Sequence, residues 1–243
     1  MFGILCATPE ELQALRARLR LDLEPQAHGP TLVFRGTHGG EPLVLAQSGI
    51  GKVNAAAATA LLLSLHAPRA LIFSGVAGSL DPELPVGAVL LADRLAIHDY
   101  GLVAQRAFTP VDYGVIPIGA PRLSVLPPVP PGVAAALARL AADVAPRLGH
   151  PVRLGGVVTA DYFLDCGETR RELRRAFAAD AIDMESGAVN QVAKAWGTPL
   201  YVIRTVSDLA GEESCLTYPQ MAAMAAANSA LCVEALLDQL LAG

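Results

Sequence analysis

Short apolar runs alternate with helical runs along most of the chain, and that alternation restricts the fold more than any other feature. A helix between two strands carries the chain across the sheet and covers one of its faces, so the expected class is α/β with layered packing. Strands are expected over residues 2–7, 31–35, 42–47, 70–74, 88–92, 152–159, 181–184 and 200–206. Helices are expected over 9–19, 52–65, 133–148, 168–179, 186–196 and 219–241, on helical spacing of the apolar positions. The hydrophobic share of 53% is carried by Ala, Leu and Val, while aromatics make up only 5%. Small side chains let helices lie close on a sheet and argue against a β sandwich. With 243 residues, the chain suffices for one large core, and nothing divides it into two.

The stretch 100–132 breaks the pattern. It carries Pro110, Pro117, Pro121, Pro127, Pro128, Pro130 and Pro131, with glycine at 101, 114, 119 and 132. This reads as an excursion from the core, and a lid, an inter-subunit arm and an unordered segment all fit it.

Two acids stand at strand ends. Glu185 closes Ala181-Ile182-Asp183-Met184-Glu185, and Asp208 follows the apolar run 200–207. The carboxyl ends of strands in an open α/β sheet border the crevice where ligands bind, so both are candidates for chemistry. Each also has a structural reading, Asp208 as a turn residue and Glu185 as an acid opening a helix. Glu11 has a third, because Thr8-Pro9-Glu10-Glu11 matches a capping box with proline at the first helical position.

Ser48-Gly49-Ile50-Gly51-Lys52 and Ser74-Gly75-Val76-Ala77-Gly78-Ser79 read as glycine turns after strands, where backbone approaches a ligand or simply turns. Neither is a P-loop, since Ala46 stands where that pattern requires glycine and Val53 where it requires Ser or Thr. The dinucleotide pattern GxGxxG is absent as well.

The net charge is −5. Arg170, Arg171, Arg174 and Arg175 lie among Glu168, Glu172 and Asp180, which reads as a solvated helix face with i, i+4 pairs, so no nucleic-acid partner is expected. Cys6, Cys166, Cys215 and Cys232 show no metal-ligand or redox spacing, and Cys6 and Cys232 read as core residues. No secretory leader is evident, and the apolar run 55–65 and the C-terminal helix are too short or interrupted for a membrane span. A cytoplasmic protein with no membrane partner is expected.

Taken together, Gly3-Ile4-Leu5 leading to Glu10-Glu11, Ser48-Gly49-Ile50-Gly51-Lys52, Ser74-Gly75-Val76-Ala77-Gly78, His98-Asp99, Asp161-Tyr162-Phe163, Asp183-Met184-Glu185 and Arg204-Thr205-Val206-Ser207-Asp208 resemble the nucleoside phosphorylase and nucleosidase superfamily. The nearest resemblance within it is to the 5′-methylthioadenosine/S-adenosylhomocysteine nucleosidases. The resemblance implies a single-domain three-layer α/β/α sandwich on a central mixed twisted sheet, and a homodimer whose partner helps close the pocket. It implies that Glu11 orients a water, that Asp208 gives a proton to purine N7, and that Glu185 binds the ribosyl hydroxyls. Phe163 would stack on the purine with Leu164 offering main-chain hydrogen bonds, Met184 would pack on the ribose, and Ile50 and Tyr218 would shape the end near the 5′ substituent. Ser207 would border Asp208. His98 matches a family histidine. Val76 stands where close relatives carry a small polar residue, and Ala88 where they carry the Asp of a Val-Gly-Asp turn. No metal or organic cofactor is needed for water to replace a base. Phosphorolytic relatives hold phosphate where this chain has Ala7-Thr8-Pro9-Glu10-Glu11, and carboxylates there would repel it. The expected activity is therefore hydrolytic, with a phosphate-dependent phosphorylase and a non-catalytic purine binder as the alternatives.

Overall fold

The computed structural model describes residues 1–22, 24–115, 126–211 and 213–242. The elements in order are β1 (Phe2–Cys6), α1 (Pro9–Arg18), β2 (Arg20–Leu21), β3 (Gln26–His28), β4 (Thr31–His38), β5 (Glu41–Gln47), α2 (Lys52–His66), β6 (Leu71–Ser79), β7 (Val89–Ile97), β8 (Gly101–Ala104), β9 (Ala107–Pro110), α3 (Pro131–Leu148), β10 (Val152–Thr159), α4 (Gly167–Phe177), β11 (Ala181–Asp183), α5 (Ser186–Ala195), β12 (Leu200–Asp208) and α6 (Ser214–Ala242).

Ten strands form one mixed sheet in the order β11-β10-β7-β12-β6-β1-β5-β4-β2, with β3 on β4. β1 lies between parallel neighbours β5 and β6, and all five of its residues are buried. That is why it reads as a continuous apolar run: a strand covered on both faces has no polar alternation. β4, antiparallel to β5 at the open side, does alternate, with Arg35 exposed. Helix α2 buries Ala55, Ala58, Thr59, Leu62 and Leu63, one stripe at helical spacing.

The sheet does not stay open. β11 pairs with β10 on one side and antiparallel with β6 on the other, Ala181 opposite Ser79 and Ile182 opposite Gly78. Strands β6, β12, β7, β10 and β11 therefore close on themselves, an addition to the layered twisted sheet expected from the sequence. Closure is helped by irregular register, between Gly155 and Gly156 in β10 and between Val206 and Asp208 in β12. An extra residue in one strand increases local twist and re-aims the side chains beside it.

Several expectations need correction. Residues 74–79 are not a turn but the second half of β6, because hydrogen bonding to both β12 and β11 carries the strand on through its glycines. The C-terminal helix begins at Ser214, with Pro219 inside it. At 29 residues α6 is long and apolar enough to cross a membrane, contrary to the expected short helix. It packs on β12, β6, α1 and α3, with Ala225, Ala230, Val233 and Leu236 fully enclosed, the burial of a core helix. Within the 100–132 stretch, β8 and β9 form an antiparallel hairpin, whereas Pro117, Gly119 and Pro121 lie outside the described residues.

Candidate active site

Chain segments from the carboxyl ends of β1, β5, β6, β10, β11 and β12 meet at one edge of the sheet. Ser48 N–H donates to Cys6 O at 2.9 Å and Gly49 N–H to Ala7 O at 3.1 Å, which sets the glycine loop beside the start of α1. Between these segments lies a cavity of about 340 Å³, within the size range of small-ligand sites. Glu11, Ile50, Val76, Phe163, Leu164, Met184, Glu185, Ser207, Asp208 and Tyr218 all line it. The ten residues singled out in the sequence are thus brought together in a single concavity.

Glu11 holds the turn into α1. Its Oε2 accepts from Ala7 N–H at 2.7 Å and Thr8 N–H at 3.1 Å, while Thr8 Oγ1 accepts from Glu11 N–H at 3.3 Å. The capping box is present, and it leaves Oε1 to accept from Val76 N–H at 3.0 Å. One oxygen of Glu11 therefore caps the helix, and the other faces β6 at the cavity. Burial raises its pKa, against the opposing pull of Arg204 and those backbone N–H groups.

Asp208 ends β12 just past the register shift, opposite Gly78. It accepts from Ser207 Oγ at 2.9 Å and from Ala210 N–H at 2.9 Å. Burial raises its pKa despite these bonds, and the charge of Asp165 adds to the rise. Glu185, the residue before α5, accepts from Gly51 N–H at 3.0 Å. Burial brings its pKa up to about 7; Arg204 and the Gly51 N–H oppose the rise, while Asp183 and Glu11 reinforce it.

Sequence reasoning passed over Arg204. It is the largest fully buried side chain, lies face-on to Phe73 with its Cζ 4.0 Å from the ring centre, and approaches Asp183 Oδ2 to 2.8 Å and Glu185 Oε2 to 3.5 Å. Nη1 has no hydrogen-bond partner among the described residues. A cation in the middle of an otherwise apolar strand was the available signal, since an arginine is almost never fully buried unless paired. Gly75 was likewise read only as a turn. A Cβ there would stand 2.2 Å from Arg204 Nη1 and 2.5 Å from Glu11 Oε1, so glycine is what lets these two groups face one another over β6.

The aromatic wall is built by Phe163 and Tyr218, whose rings meet edge-on with centroids 5.8 Å apart. Tyr218 keeps its proton firmly, with a pKa raised to about 12 by burial and by the charges of Glu11, Glu10, Glu185 and Asp208. His98 stands outside the cavity lining and bonds Tyr162 Oη through Nε2 at 3.0 Å. Asp183 lines the cavity, but its carboxylate is taken up by Thr159, Ser186 and Arg204. No cluster of metal-ligating side chains occurs among the described residues.

Comparisons with known proteins match this chain over nearly its whole length. The 5′-methylthioadenosine/S-adenosylhomocysteine nucleosidase of Mycobacterium bovis is 35% identical over 250 residues, covering 99% of this chain and 98% of that one. The crystal structure of the same-named enzyme from Neisseria meningitidis, in complex with methylthio-immucillin-A, matches with a TM-score of 0.83 at 30% identity, covering 98% of both chains. Futalosine hydrolase of Helicobacter pylori matches with a TM-score of 0.83 at 28% identity, covering 98% of this chain and 97% of that one. The family model described as the phosphorylase superfamily matches residues 1–238, and with that match the chain belongs to the phosphorylase superfamily.

Proposed function

We infer that this protein is a nucleosidase that hydrolyses the N-ribosidic bond of 5′-methylthioadenosine, S-adenosylhomocysteine or a related 5′-substituted nucleoside and releases the free base. One observation carries the reading: Glu11, Glu185 and Asp208, far apart in sequence, line one cavity with pKa values all raised by burial. Raised carboxyl pKa values are what proton transfer near neutrality requires.

In this reaction C1′–N9 breaks with its electron pair passing to the base, while protonated Asp208 delivers its proton to N7. The base departs neutral. A water held by Glu11 bonds to C1′ and gives a proton to Glu11. Solvent then returns Glu11 and Asp208 to their starting states. Glu185 accepts from the ribosyl hydroxyls and offsets the positive charge that develops on the sugar. Phe163 covers the face of the base, Leu164 meets its edge through the main chain, Met184 packs on the ribose, and Ile50 with Tyr218 borders the 5′ group. Val76 offers no hydroxyl, which leaves the water to Glu11. We also propose that the protein is a cytoplasmic homodimer. Ile50 and Val53 are more than half exposed beside the pocket, and Tyr113 shares a second groove with Val53, an apolar surface suited to a partner subunit.

Carboxylates around the cavity disfavour phosphate, no Lys or Arg among the described residues lines it, and the nearby Arg204 is paired with Asp183. The test is base release in phosphate-free buffer from a panel of 5′-methylthioadenosine, S-adenosylhomocysteine, futalosine and adenosine. Release without phosphate, yielding free ribosyl product, is expected. A strict need for phosphate with formation of a sugar 1-phosphate would overturn the hydrolytic reading.

A further inference from the structure

Three motifs of the sequence have no part in that chemistry: the lysine ending the glycine loop, the aspartate of His98-Asp99, and the aspartate of Asp161-Tyr162-Phe163. They meet beside the pocket. Lys52 Nζ pairs with Asp99 Oδ1 and lies 3.7 Å from Asp161 Oδ2. Asp161 Oδ1 accepts from Lys52 N–H at 2.8 Å, and Asp161 N–H donates to Asp99 Oδ2 at 3.0 Å. Each residue therefore binds the other two, although they come from the start of α2, the loop after β7 and the loop after β10. The side chains of Lys52 and Asp99 are only 19% and 23% exposed, so the contact is partly shielded from water.

What the triad holds on either side gives it meaning. Gly51, next to Lys52, donates its N–H to Glu185. It has φ of +96°, and a Cβ there would come within 3.3 Å of Asp161 Oδ1, so the loop is threaded tightly between the two acids. Tyr162, Phe163 and Leu164, immediately after Asp161, line the cavity, and Tyr162 is tied back to His98. A surface ion pair by itself adds little to stability, but a displacement of about 1 Å in a reacting site can cost on the order of 100-fold in rate.

We propose that Lys52, Asp99 and Asp161 form a positioning clamp that holds the sugar-side carboxylate Glu185 and the base-side loop 161–164 in register with each other. The proposal rests on the nucleosidase reading for what those two parts bind.

The experiment compares wild type, Lys52→Met and Lys52→Arg in the intact chain, following base release from 5′-methylthioadenosine across pH together with thermal unfolding. Asp99→Asn serves as a second disruption if Lys52→Met does not fold. The disrupted variant should lose on the order of 10- to 100-fold in kcat/KM, mostly through KM, and Lys52→Arg should restore most of it. The pH profile provides a readout that a merely structural role would not move. Glu185 is faced by Arg204 from β12, Asp183 from β11, Glu11 from α1 and Tyr218 from α6, all unchanged in these variants. Only the Gly51 N–H, which favours the charged carboxylate, is loosened, so the limb governed by Glu185 should move to higher pH. Unchanged KM and pH limb, or a lowered Tm alone, would overturn the clamp. If wild type releases no base, the nucleosidase reading fails first, and calorimetric binding of free adenine decides the clamp instead. Weaker binding by Lys52→Met supports it, whereas equal or absent binding in both proteins overturns it.

Discussion

The short strand β11 has buried charge at each end, and the two ends are built on opposite principles. Before it, Asp180 and Asp81 face Arg94, Arg153 and Arg174. Arg174 reaches Asp180 at 2.8 Å and Asp81 at 3.1 Å, Arg153 reaches Asp180 at 3.0 Å and also contacts Asp81, and Arg94 reaches Asp180 at 3.3 Å. After it, Asp183, Glu185 and Glu11 share Arg204, and Asp208 has no cation acting on it among the described residues. All six acids expose little surface, but Asp81 lies nearer the outside of the protein than Glu11, Glu185 or Asp208. Burial pushes Asp81 up, yet bonds from Arg153 and Glu83 N–H and the charges of Arg174 and Arg153 outweigh it and leave its carboxyl below the ordinary range. At the other end burial wins for Glu11, Glu185 and Asp208. Depth and the ratio of acids to bases together therefore separate the two ends.

The sharpest break in the comparison comes from Asp208→Asn. The amide oxygen still accepts from Ala210 N–H, so the fold should hold, but no acidic proton remains for the leaving base. Base release should fall by roughly 10²–10⁴-fold with Tm close to wild type. Release within a few-fold of wild type would place the acid elsewhere.

At the arginine-rich end the expected loss is in stability. Asp180→Ala removes the partner of three guanidinium groups and the acceptor of the Gly156 N–H, bonded at 2.7 Å. Breaking a buried pair costs about 3–5 kcal/mol, but the arginine side chains are about a third exposed and water recovers part of that, so ~2–3 kcal/mol is expected. Urea unfolding measures it, and kcat per folded molecule should change far less than for Asp208→Asn. An unmoved midpoint would mean that this cluster holds nothing.

The two ends also differ in how far the sequence revealed them. The layered fold was legible because buried parallel strands and amphipathic helices leave different apolar spacing, and β1, α2, β10 and β12 show it plainly. Glu11, Glu185 and Asp208 were visible because each directly follows an apolar strand or a capping signal. At the arginine-rich end, Arg171, Glu172 and Arg175 are exposed as a solvated helix face requires, but Arg174 also reaches Asp180 and Asp81, and Asp81 is brought to it by the closure of β11 onto β6. That closure has no local signature: a three-residue strand pairs along β10 and, through Ala181 and Ile182, with β6, where two irregular registers bend the sheet. Gly75 and Arg204 were hidden for a related reason, as their meaning lies in a cross-strand approach and not in a turn or a run.

The smallest expected effect concerns the ligand-free stability of Glu185→Gln. The Glu185 pKa rises from 4.5 to about 7 on burial, so between those values the folded state keeps a proton that the unfolded state has released. Stability contributed at this site therefore falls as pH rises through that window, and the deficit persists above it. Glutamine cannot ionise, still accepts from Gly51 N–H, and leaves Arg204 with Asp183. The variant should accordingly be more stable than wild type at pH 8, by ~1 kcal/mol, as is common when a functional residue is replaced by one better suited to its surroundings. The gap should close by about pH 4, where the wild-type carboxyl is itself protonated. Melting curves at the two pH values decide it. A variant less stable than wild type at pH 8 would mean that Arg204 compensates Glu185 as fully as the arginines compensate Asp81, and the two ends of β11 would then no longer differ in kind.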